Sequence, residues 1–265
     1  MAVSWQETRV AVGHGIELGV KFGRHDDQDP NQPVIILLHE ALGCIAMWKD
    51  IPEQLAELTG HDVLVYERQG YGCSTPISLP RDDDYLVHEG EVWLPRLLEV
   101  LDIQRCVLLG HSDGGSIALI GAATLPEKVV GVVTAAAHIY IDDLTTAGII
   151  EAVERYQTTD LPARLAKYHG ERTDTIFRAW SETWLRERKA PMDYRPWLPR
   201  ILCEALIIQG RQDQYGVPEQ VTDICEGIGP RAEPLFLESC GHVPQFEARE
   251  PFLTAVSQFM QRLNG

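Results

Sequence analysis

Residues 108–119 read LLGHSDGGSIAL and place Ser112 between glycines, after an apolar run and before a segment typical of a helix. The stretch from Gly110 to Gly114 fits the pattern G-x-S-x-G, in which a sharp turn between a strand and a helix exposes the serine hydroxyl. A serine that only caps a helix has the same local appearance. The rest of the chain must therefore decide whether Ser112 is a nucleophile.

A nucleophilic serine needs a base that takes its proton, and an imidazole base needs a carboxylate that fixes its tautomer. The chain offers both, in the order serine, acid, histidine. Asp213 follows the apolar run of LIIQGRQDQYG, and His242 follows that of PLFLESCGH. Because the carboxyl ends of parallel strands meet at one edge of a sheet, we predict a triad of Ser112, Asp213 and His242. Asp142 or Asp143, after VVGVVTAAA, could supply the carboxylate instead.

An anionic tetrahedral intermediate also needs N–H donors. One is expected from the backbone of Asp113, directly after the serine. The other is expected from the loop HEALG that follows VIILL, with Ala41 favoured over Glu40. His39 and His111 also stand at strand ends, and we expect both to be buried donors to loop carbonyls.

The hydrophobic pattern predicts the elements that position these residues. IELGVKF alternates strictly, with Ile16, Leu18, Val20 and Phe22 on one face, and it follows RVAV across the turn GHG, as an antiparallel hairpin would. Other apolar runs are short and continuous, as in strands buried on both faces of a parallel sheet. These runs are VIILL (34–38), VLVY (63–66), CVLLG (106–110), VVGVV (129–133) and ALIIQ (205–209).

Helical patterns alternate with these strands, so we predict a doubly wound α/β sheet with right-handed crossovers. Two series with helical spacing are Trp48, Ile51, Leu55 and Leu58, and Phe252, Val256, Phe259 and Leu263. Pro95 lies inside the helical pattern of residues 86–101, and we expect a kink or a break there.

Residues 138–200 interrupt this alternation. They show helical spacing without a strand pattern, and we expect three or four short helices with four prolines as breakers, namely Pro162, Pro191, Pro196 and Pro199. This stretch holds 10 acidic and 10 basic side chains, whereas the rest of the chain holds 29 and 13. We predict a core formed by residues 1–137 and 201–265 and a helical cap formed by residues 138–200, called the cap segment below.

Composition excludes several classes of function. The net charge of −16 argues against nucleic acids and anionic membranes as partners, because both require a basic surface. The longest apolar runs are too short to span a membrane, and the start MAVSWQETRV does not fit a signal peptide, so we expect a cytoplasmic protein. Six scattered cysteines without a CxxC pair indicate reduced, buried thiols rather than disulfides or a zinc site. We expect no metal and no cofactor.

The stretches LLHEALG, YERQGYGCS, GHSDGG, GRQD and CGH stand in the order found in the α/β-hydrolase superfamily, which the chain resembles over nearly its whole length. The resemblance implies a mostly parallel sheet with a cap between its sixth and seventh strands. Within the superfamily the chain is most similar to small bacterial serine esterases and their relatives in the catabolism of aromatic compounds. Relatives that use an aspartate nucleophile are excluded, because the turn carries Ser112.

The chain departs from the family pattern at two positions. Glu40 stands where most relatives have glycine, and Asp113 stands where many have an apolar or amide residue. Each departure places a carboxylate near a developing anion, which is unfavourable unless a cation compensates it. Arg68, in YERQGYG, is the first candidate for this cation, and the sequence does not tell which of the two carboxylates it reaches.

The favoured function is hydrolysis of a small carboxylic ester, aryl or short-chain, through an acyl-enzyme; thioesters and lactones remain open. One alternative is hydrolysis of a carbon–carbon bond in a ring-cleavage product. An alternative of another class is a ligand-binding receptor with this fold. In each case the partner is a small molecule, and Glu40, Trp180 and Trp184 are the candidates for its pocket, although the two tryptophans could instead pack the cap segment onto the sheet. Arginines of the cap segment could accommodate a substrate carboxylate.

Overall fold

The computed structural model describes residues 3–26, 32–188 and 192–263. Its eight strands form a single sheet, and their bounds are β1 (Val3–Gly13), β2 (Ile16–His25), β3 (Val34–Leu38), β4 (Val63–Tyr66), β5 (Cys106–His111), β6 (Val129–Ala135), β7 (Glu204–Gly210) and β8 (Ala232–Leu237). Their order across the sheet is β1-β2-β4-β3-β5-β6-β7-β8. β1 and β2 form the predicted antiparallel hairpin, β2 pairs antiparallel with β4, and all other pairs are parallel. The predicted fold class is confirmed.

The central parallel strands bury side chains on both faces of the sheet. In β3, Ile36 and Leu38 belong to one hydrophobic cluster, whereas Ile35 and Leu37 belong to the other. A strand with two buried faces needs apolar residues at every position, which explains the continuous run VIILL. From β3 the chain first passes to β4 on one side and then returns to β5 on the other side, so the strand order reverses direction at β3. Ligand sites of open α/β sheets lie beyond the strand ends at such a point.

In the described ranges, ten α-helices flank the sheet or lie in the cap segment. Their bounds are α1 (Ile51–Thr59), α2 (Tyr85–His88), α3 (Leu94–Val100), α4 (Asp113–Thr124), α5 (Asp143–Thr158), α6 (Leu161–His169), α7 (Thr173–Leu185), α8 (Glu219–Ile228), α9 (Pro244–Glu247) and α10 (Arg249–Leu263). In the second predicted series, Phe252, Val256 and Phe259 are buried on α10, as expected. In the first series the prediction was wrong for Leu58, which is 54% exposed, because the buried face of the short helix α1 runs through its other apolar residues.

The chain around Pro95 is irregular but stays helical. A π-helical turn, Glu89–Trp93, joins α2 to α3, and Pro95 lies in the first turn of α3 directly after it. The expected kink or break at the proline therefore takes the form of a wider turn within a continuous helix. Glu89 and Gly90 of this turn are buried, and Gly90 packs against Ile120 of α4.

Between β6 and β7 lie α5, α6 and α7 together with the 3₁₀ turns Gly170–Arg172 and Arg195–Arg200. Among the described residues the only β contact of this interval is an isolated bridge between Tyr140 and Asp193. Pro191 lies outside the described residues. The division into a core and a cap segment stays a prediction. All six cysteines are free, but Cys73 is exposed, which corrects the expectation that all are buried.

Candidate active site

Ser112 lies in a sharp turn between β5 and α4. Its φ of 52° and ψ of −118° are a strained combination for a residue with a side chain. The glycines around it allow close packing of backbone: a Cβ at Gly110 would lie 2.0 Å from the carbonyl oxygen of Gly114, and a Cβ at Gly114 would lie 2.0 Å from that of Leu38. The turn therefore requires glycine at both positions, as the G-x-S-x-G pattern predicted.

Asp213 and His242 lie beside this serine. His242 Nε2 is 3.0 Å from Ser112 Oγ, and His242 Nδ1 is 2.8 Å from Asp213 Oδ1. Asp213 stands in the turn after β7, and His242 stands between β8 and α9, so both come from strand ends at one edge of the sheet. Three residues separated by up to 130 positions thus form one hydrogen-bonded line.

The Asp213 carboxylate is held as an anion. Burial alone would raise its pKa, but the hydrogen bond from His242, the charge of that ring and the amide of Tyr215 together lower the pKa below its ordinary value. A carboxylate only accepts, so His242 Nδ1 carries a proton and Nε2 can accept the proton of the serine hydroxyl. Asp142 is engaged elsewhere: it caps α5 and accepts hydrogen bonds from Thr145 and Gln220.

The two residues whose amides were predicted as oxyanion donors, Asp113 and Ala41, both lie at the cavity that Ser112 lines. The amide of Asp113 belongs to the first residue of α4, where helix geometry provides no intrahelical acceptor. That of Ala41 belongs to the loop after β3, and both residues line the same cavity as Ser112 and His242.

Four successive carbonyl oxygens of this loop, those of residues 39–42, each accept a hydrogen bond from a side chain. In chain order the donors are Arg68 Nη1 (2.8 Å), Arg68 Nη2 (3.0 Å), Tyr71 OH (2.7 Å) and His169 Nε2 (2.7 Å). Because C=O and N–H point in opposite directions across a trans peptide bond, holding the carbonyl of Glu40 fixes the direction of the amide of Ala41. The loop is thus tied to the core by Arg68 and Tyr71 and to α6 by His169.

Arg68 also supplies the cation that compensates the charge of the Asp113 carboxylate. Its guanidinium is 2% exposed and lies 3.7 Å from the Asp113 carboxylate, which also accepts a short hydrogen bond from the Tyr85 hydroxyl. Trp184 donates its indole N–H to that same hydroxyl at 2.9 Å. The carboxylate of Asp113 is therefore compensated by one buried cation and held by a chain of hydrogen bonds that reaches α7.

A cavity of about 190 Å³ opens beside Ser112, and α5, α6 and α7 supply part of its wall. Glu40, Trp180 and Trp184 all line it, as predicted for the pocket candidates. The other lining residues are Ala41, Leu42, Met47, Ser112, Asp113, His138, Thr145, Ile149, Leu165, Tyr215 and His242. Among the described residues no arginine or lysine lines it, so the expectation that arginines of the cap segment accommodate a substrate carboxylate was wrong. Those arginines are used at the surface of the core, where Arg172 binds backbone carbonyls and Arg186 binds Asp83.

His39 and His111 have the roles that the sequence predicted. His39 Nδ1 donates to the carbonyl of Glu40, and His111 Nε2 donates to that of His242. Their other ring nitrogens accept, from the Arg68 amide and from Gln245. Burial lowers the pKa of His39 well below its usual value and that of His111 to about 3, so both rings are neutral at pH 7.

Sequence reasoning missed His138 and His169. His138 directly follows the apolar run VVGVVTAAA, so the rule that sites gather at strand ends could have found it. Its Nε2 donates to the carbonyl of Tyr215, and burial lowers its pKa, so its Nδ1 is a bare acceptor. No sequence signal connects His169 with the carbonyl of Leu42, 127 positions away.

Within residues 3–26, 32–188 and 192–263, no cluster of three or more histidine, cysteine or acidic side chains has a geometry suited to a metal ion. None of the helices in these ranges has the length and apolar character needed to cross a membrane.

Comparison with known proteins identifies the family and the fold. A family model described as "Alpha/beta hydrolase family" matches residues 35–255. A putative carbamate hydrolase, RutD, from Stutzerimonas stutzeri is 27% identical over 248 residues, which cover 86% of this chain and 91% of the relative. A second putative carbamate hydrolase RutD, from Pseudomonas savastanoi pv. phaseolicola, is 39% identical over 104 residues, and the match covers only 38% of that protein.

Solved structures share the fold at low sequence identity. The 2-hydroxy-6-oxo-6-phenylhexa-2,4-dienoate hydrolase from Rhodococcus sp. strain RHA1 superposes with a TM-score of 0.77 at 18% identity, over 98% of this chain and all of that one. At this identity the similarity concerns the fold alone.

Proposed function

The chain belongs to the alpha/beta hydrolase family, and within it we propose that this protein is a serine hydrolase that cleaves small carboxylic esters through an acyl-enzyme. In this proposal Ser112 is the nucleophile, His242 the base and Asp213 the acid. Ala41 and Asp113 supply the N–H donors of the oxyanion hole. No metal or cofactor takes part in these steps.

The chemistry follows from these positions. Ser112 Oγ attacks the carbonyl carbon while His242 Nε2 takes the hydroxyl proton, and Asp213 stabilises the imidazolium that results. The carbonyl oxygen becomes an anion and accepts hydrogen bonds from the two amides. When the intermediate collapses, His242 gives the proton to the leaving alcohol. Water then attacks the acyl-enzyme in the same way and releases the acid.

The hydrogen-bonded line from Ser112 through His242 to Asp213 carries this proposal, with distances of 3.0 and 2.8 Å. The cavity beside it, of about 190 Å³, fits a short acyl or a single aryl group better than a long chain. Thioesters and lactones meet the same requirements, because the nucleophile and the donors act on the carbonyl group alone.

Cleavage of a carbon–carbon bond is less well supported. The Rhodococcus enzyme is named for a dienoate, which carries a carboxylate. In the described part of this chain no arginine or lysine lines the cavity, so a substrate carboxylate would face Glu40 without a cation. A receptor that binds without turnover would not need the aligned imidazole.

The test combines labelling and turnover. The purified protein should react at Ser112 with a fluorescent phosphonate and hydrolyse short aryl esters over many turnovers. Ser112→Ala should abolish labelling and lower kcat by about 10³-fold or more. Wild-type turnover by this variant would overturn the assignment of the nucleophile, and a single turnover with retained product would favour the receptor.

A matched pair of variants tests the acid. Asp213→Asn should lower kcat by roughly 10²- to 10⁴-fold, since the amide favours the wrong tautomer of His242. Asp142→Asn serves as the control, because Asp142 caps α5 and has no contact with that ring. If the control is the inactive variant, the acid has been misassigned.

A further inference from the structure

Glu40 lines the cavity, and its carboxyl group has a hydrogen bond from its own backbone but no counterion at ion-pair distance. An added Cβ at Gly43 would lie 2.0 Å from Glu40 Oε2, so the side chain folds over Gly43 and uses the space that the glycine leaves. In the described part of the chain no lysine or arginine lies within 4.0 Å of this carboxylate, whereas Arg68 lies 3.7 Å from Asp113. Of the two carboxylates next to the oxyanion donors, only that of Asp113 is compensated at ion-pair distance.

An unpaired carboxylate at this position is unfavourable for ester cleavage. Burial raises the pKa of Glu40, and the charges of Arg68 and of a protonated His242 only partly oppose that shift. If Glu40 is ionised, its charge also repels the oxyanion that forms at the neighbouring amide of Ala41. A cation that enters the cavity with the substrate removes both penalties.

The remaining wall suits a cation. Trp180, Trp184 and Tyr215 line the cavity, and aromatic faces attract ammonium groups. The neutral ring of His138 also lines the cavity. The net charge of −16 favours the approach of cationic substrates over that of anions.

We propose that Glu40 forms a subsite for a positively charged nitrogen of the substrate, and that this protein prefers esters or thioesters that carry an ammonium group a few bonds from the scissile carbonyl. This inference rests on the proposed function, since it concerns the substrate of the same site. Glu40 is a specificity residue in this arrangement, and the acyl chemistry remains with the triad.

Matched substrates isolate the charge. Acetylthiocholine and 3,3-dimethylbutyl thioacetate differ in whether nitrogen or carbon stands at the centre of the bulky group of the leaving thiol. Phenyl thioesters of 4-(trimethylammonio)butanoate and of 5,5-dimethylhexanoate place the same difference in the acyl part. For at least one pair, kcat/KM should be about tenfold or more higher for the cation, because a charge pair that is largely shielded from water contributes more than an exposed one.

Glu40→Gln should lower that preference to about one, chiefly by slowing the cationic substrate, and should still be labelled by the phosphonate. Glu226→Gln makes the same change of charge on the exposed face of α8 and should retain the wild-type preference. Equal rates for both members of both pairs in the wild type, or an unchanged preference in Glu40→Gln, would overturn the subsite while the labelling of Ser112 stands. Loss of labelling and of all turnover in the wild type would overturn the proposed function, and the subsite with it.

Discussion

The two amides beside Ser112 are positioned in different ways. That of Asp113 belongs to the turn between β5 and α4, where backbone packs directly on backbone at Gly110 and Gly114. That of Ala41 belongs to a loop whose carbonyls are held by side chains from other parts of the chain. The turn depends on glycines within two positions of the serine that contact only backbone, whereas the loop depends on side-chain donors up to 127 positions away.

Because of this difference, the two halves of the proposed oxyanion hole should tolerate change differently. The turn is disrupted when a single carbon atom is added, because its neighbours are backbone groups that cannot move away. The loop should lose its order in steps, because several side-chain donors share its carbonyls. Variants of the two regions should therefore differ in the size and in the kind of defect.

The largest effect is expected at the turn. In Gly114→Ala the new Cβ would meet the carbonyl of Leu38 at 2.0 Å, so the nucleophile and the amide after it must shift. Displacements of about 1 Å cost roughly 10²-fold and loss of one oxyanion donor costs a similar factor, so we expect kcat/KM to fall by about 10³-fold. Gly60→Ala, at the end of α1, has a strained φ of 72° but open space around it, and it should lower stability without loss of activity. Equal activity of the two variants would contradict the requirement for glycine in the turn.

A smaller effect is expected when the main donor to the loop is removed. Arg68→Met removes one donor each from the carbonyls of His39 and Glu40. The carbonyl of Glu40 keeps His39 Nδ1 and the amide of Gly43 as donors, so the amide of Ala41 is held less firmly. We expect kcat to fall by about tenfold to 10²-fold with a smaller change in KM, at most as much as for loss of one oxyanion donor.

Loss of Arg68 also leaves Asp113 as a buried, unpaired charge, which is destabilising by roughly 3–5 kcal/mol. The double variant Arg68→Met with Asp113→Asn avoids that charge and should recover much of the thermal stability while kcat stays low. If kcat recovered together with stability, Arg68 would be a structural residue only.

The neutral histidines of the two regions predict a dependence of stability on pH. The pKa of His111 is near 6.5 in the unfolded chain and about 3 in the folded protein, so its contribution is complete above pH 6.5 and is lost as the pH falls toward 3. As the pH falls from 6.5 to 5, His111 alone reduces the free energy of unfolding by about 2 kcal/mol.

The carboxyls of Glu40 and Glu89 change stability in the opposite direction, since burial raises the pKa of both, that of Glu89 to about 7. Comparison of one variant with the wild type removes this complication. Denaturant titrations at several pH values should show that His111→Gln loses less stability than the wild type over this interval, by about 2 kcal/mol. Parallel curves for the two proteins would show that His111 is protonated in the folded state.

The smallest effects are expected for two tyrosine variants. Tyr71→Phe removes the donor to the carbonyl of Ala41, which holds the loop one peptide beyond the amide of Ala41. This hydrogen bond is worth about 1 kcal/mol, so kcat should fall by about fivefold at most. Tyr85→Phe removes a donor to the side chain of Asp113, whose amide is already fixed by the start of α4, so kcat should change less. A larger loss in Tyr85→Phe, measured under the same conditions, would reverse the comparison between the regions.

The same difference explains what the sequence could predict. The turn around Ser112 has a local signature, and Asp213 and His242 follow apolar runs whose ends must meet at one edge of the sheet. The contacts of Arg68, Tyr71 and His169 with the loop join distant segments and have no period or motif of their own. His138 could have been found, because it follows the end of a predicted strand. The exposure of Leu58 could not, because it depends on how α1 packs.

The hydrogen bond from His169 to the carbonyl of Leu42 bears on the construction of chimeras. A cap segment transplanted from a relative into this core would bring its own aromatic wall but would leave that carbonyl without a donor unless a suitable side chain occupied the end of α6. The cost of an unsatisfied buried carbonyl, about 1–3 kcal/mol, would then fall on the loop that carries Ala41. A chimera with an exchanged cap segment therefore also needs a side chain that donates to the carbonyl of Leu42, as His169 does here.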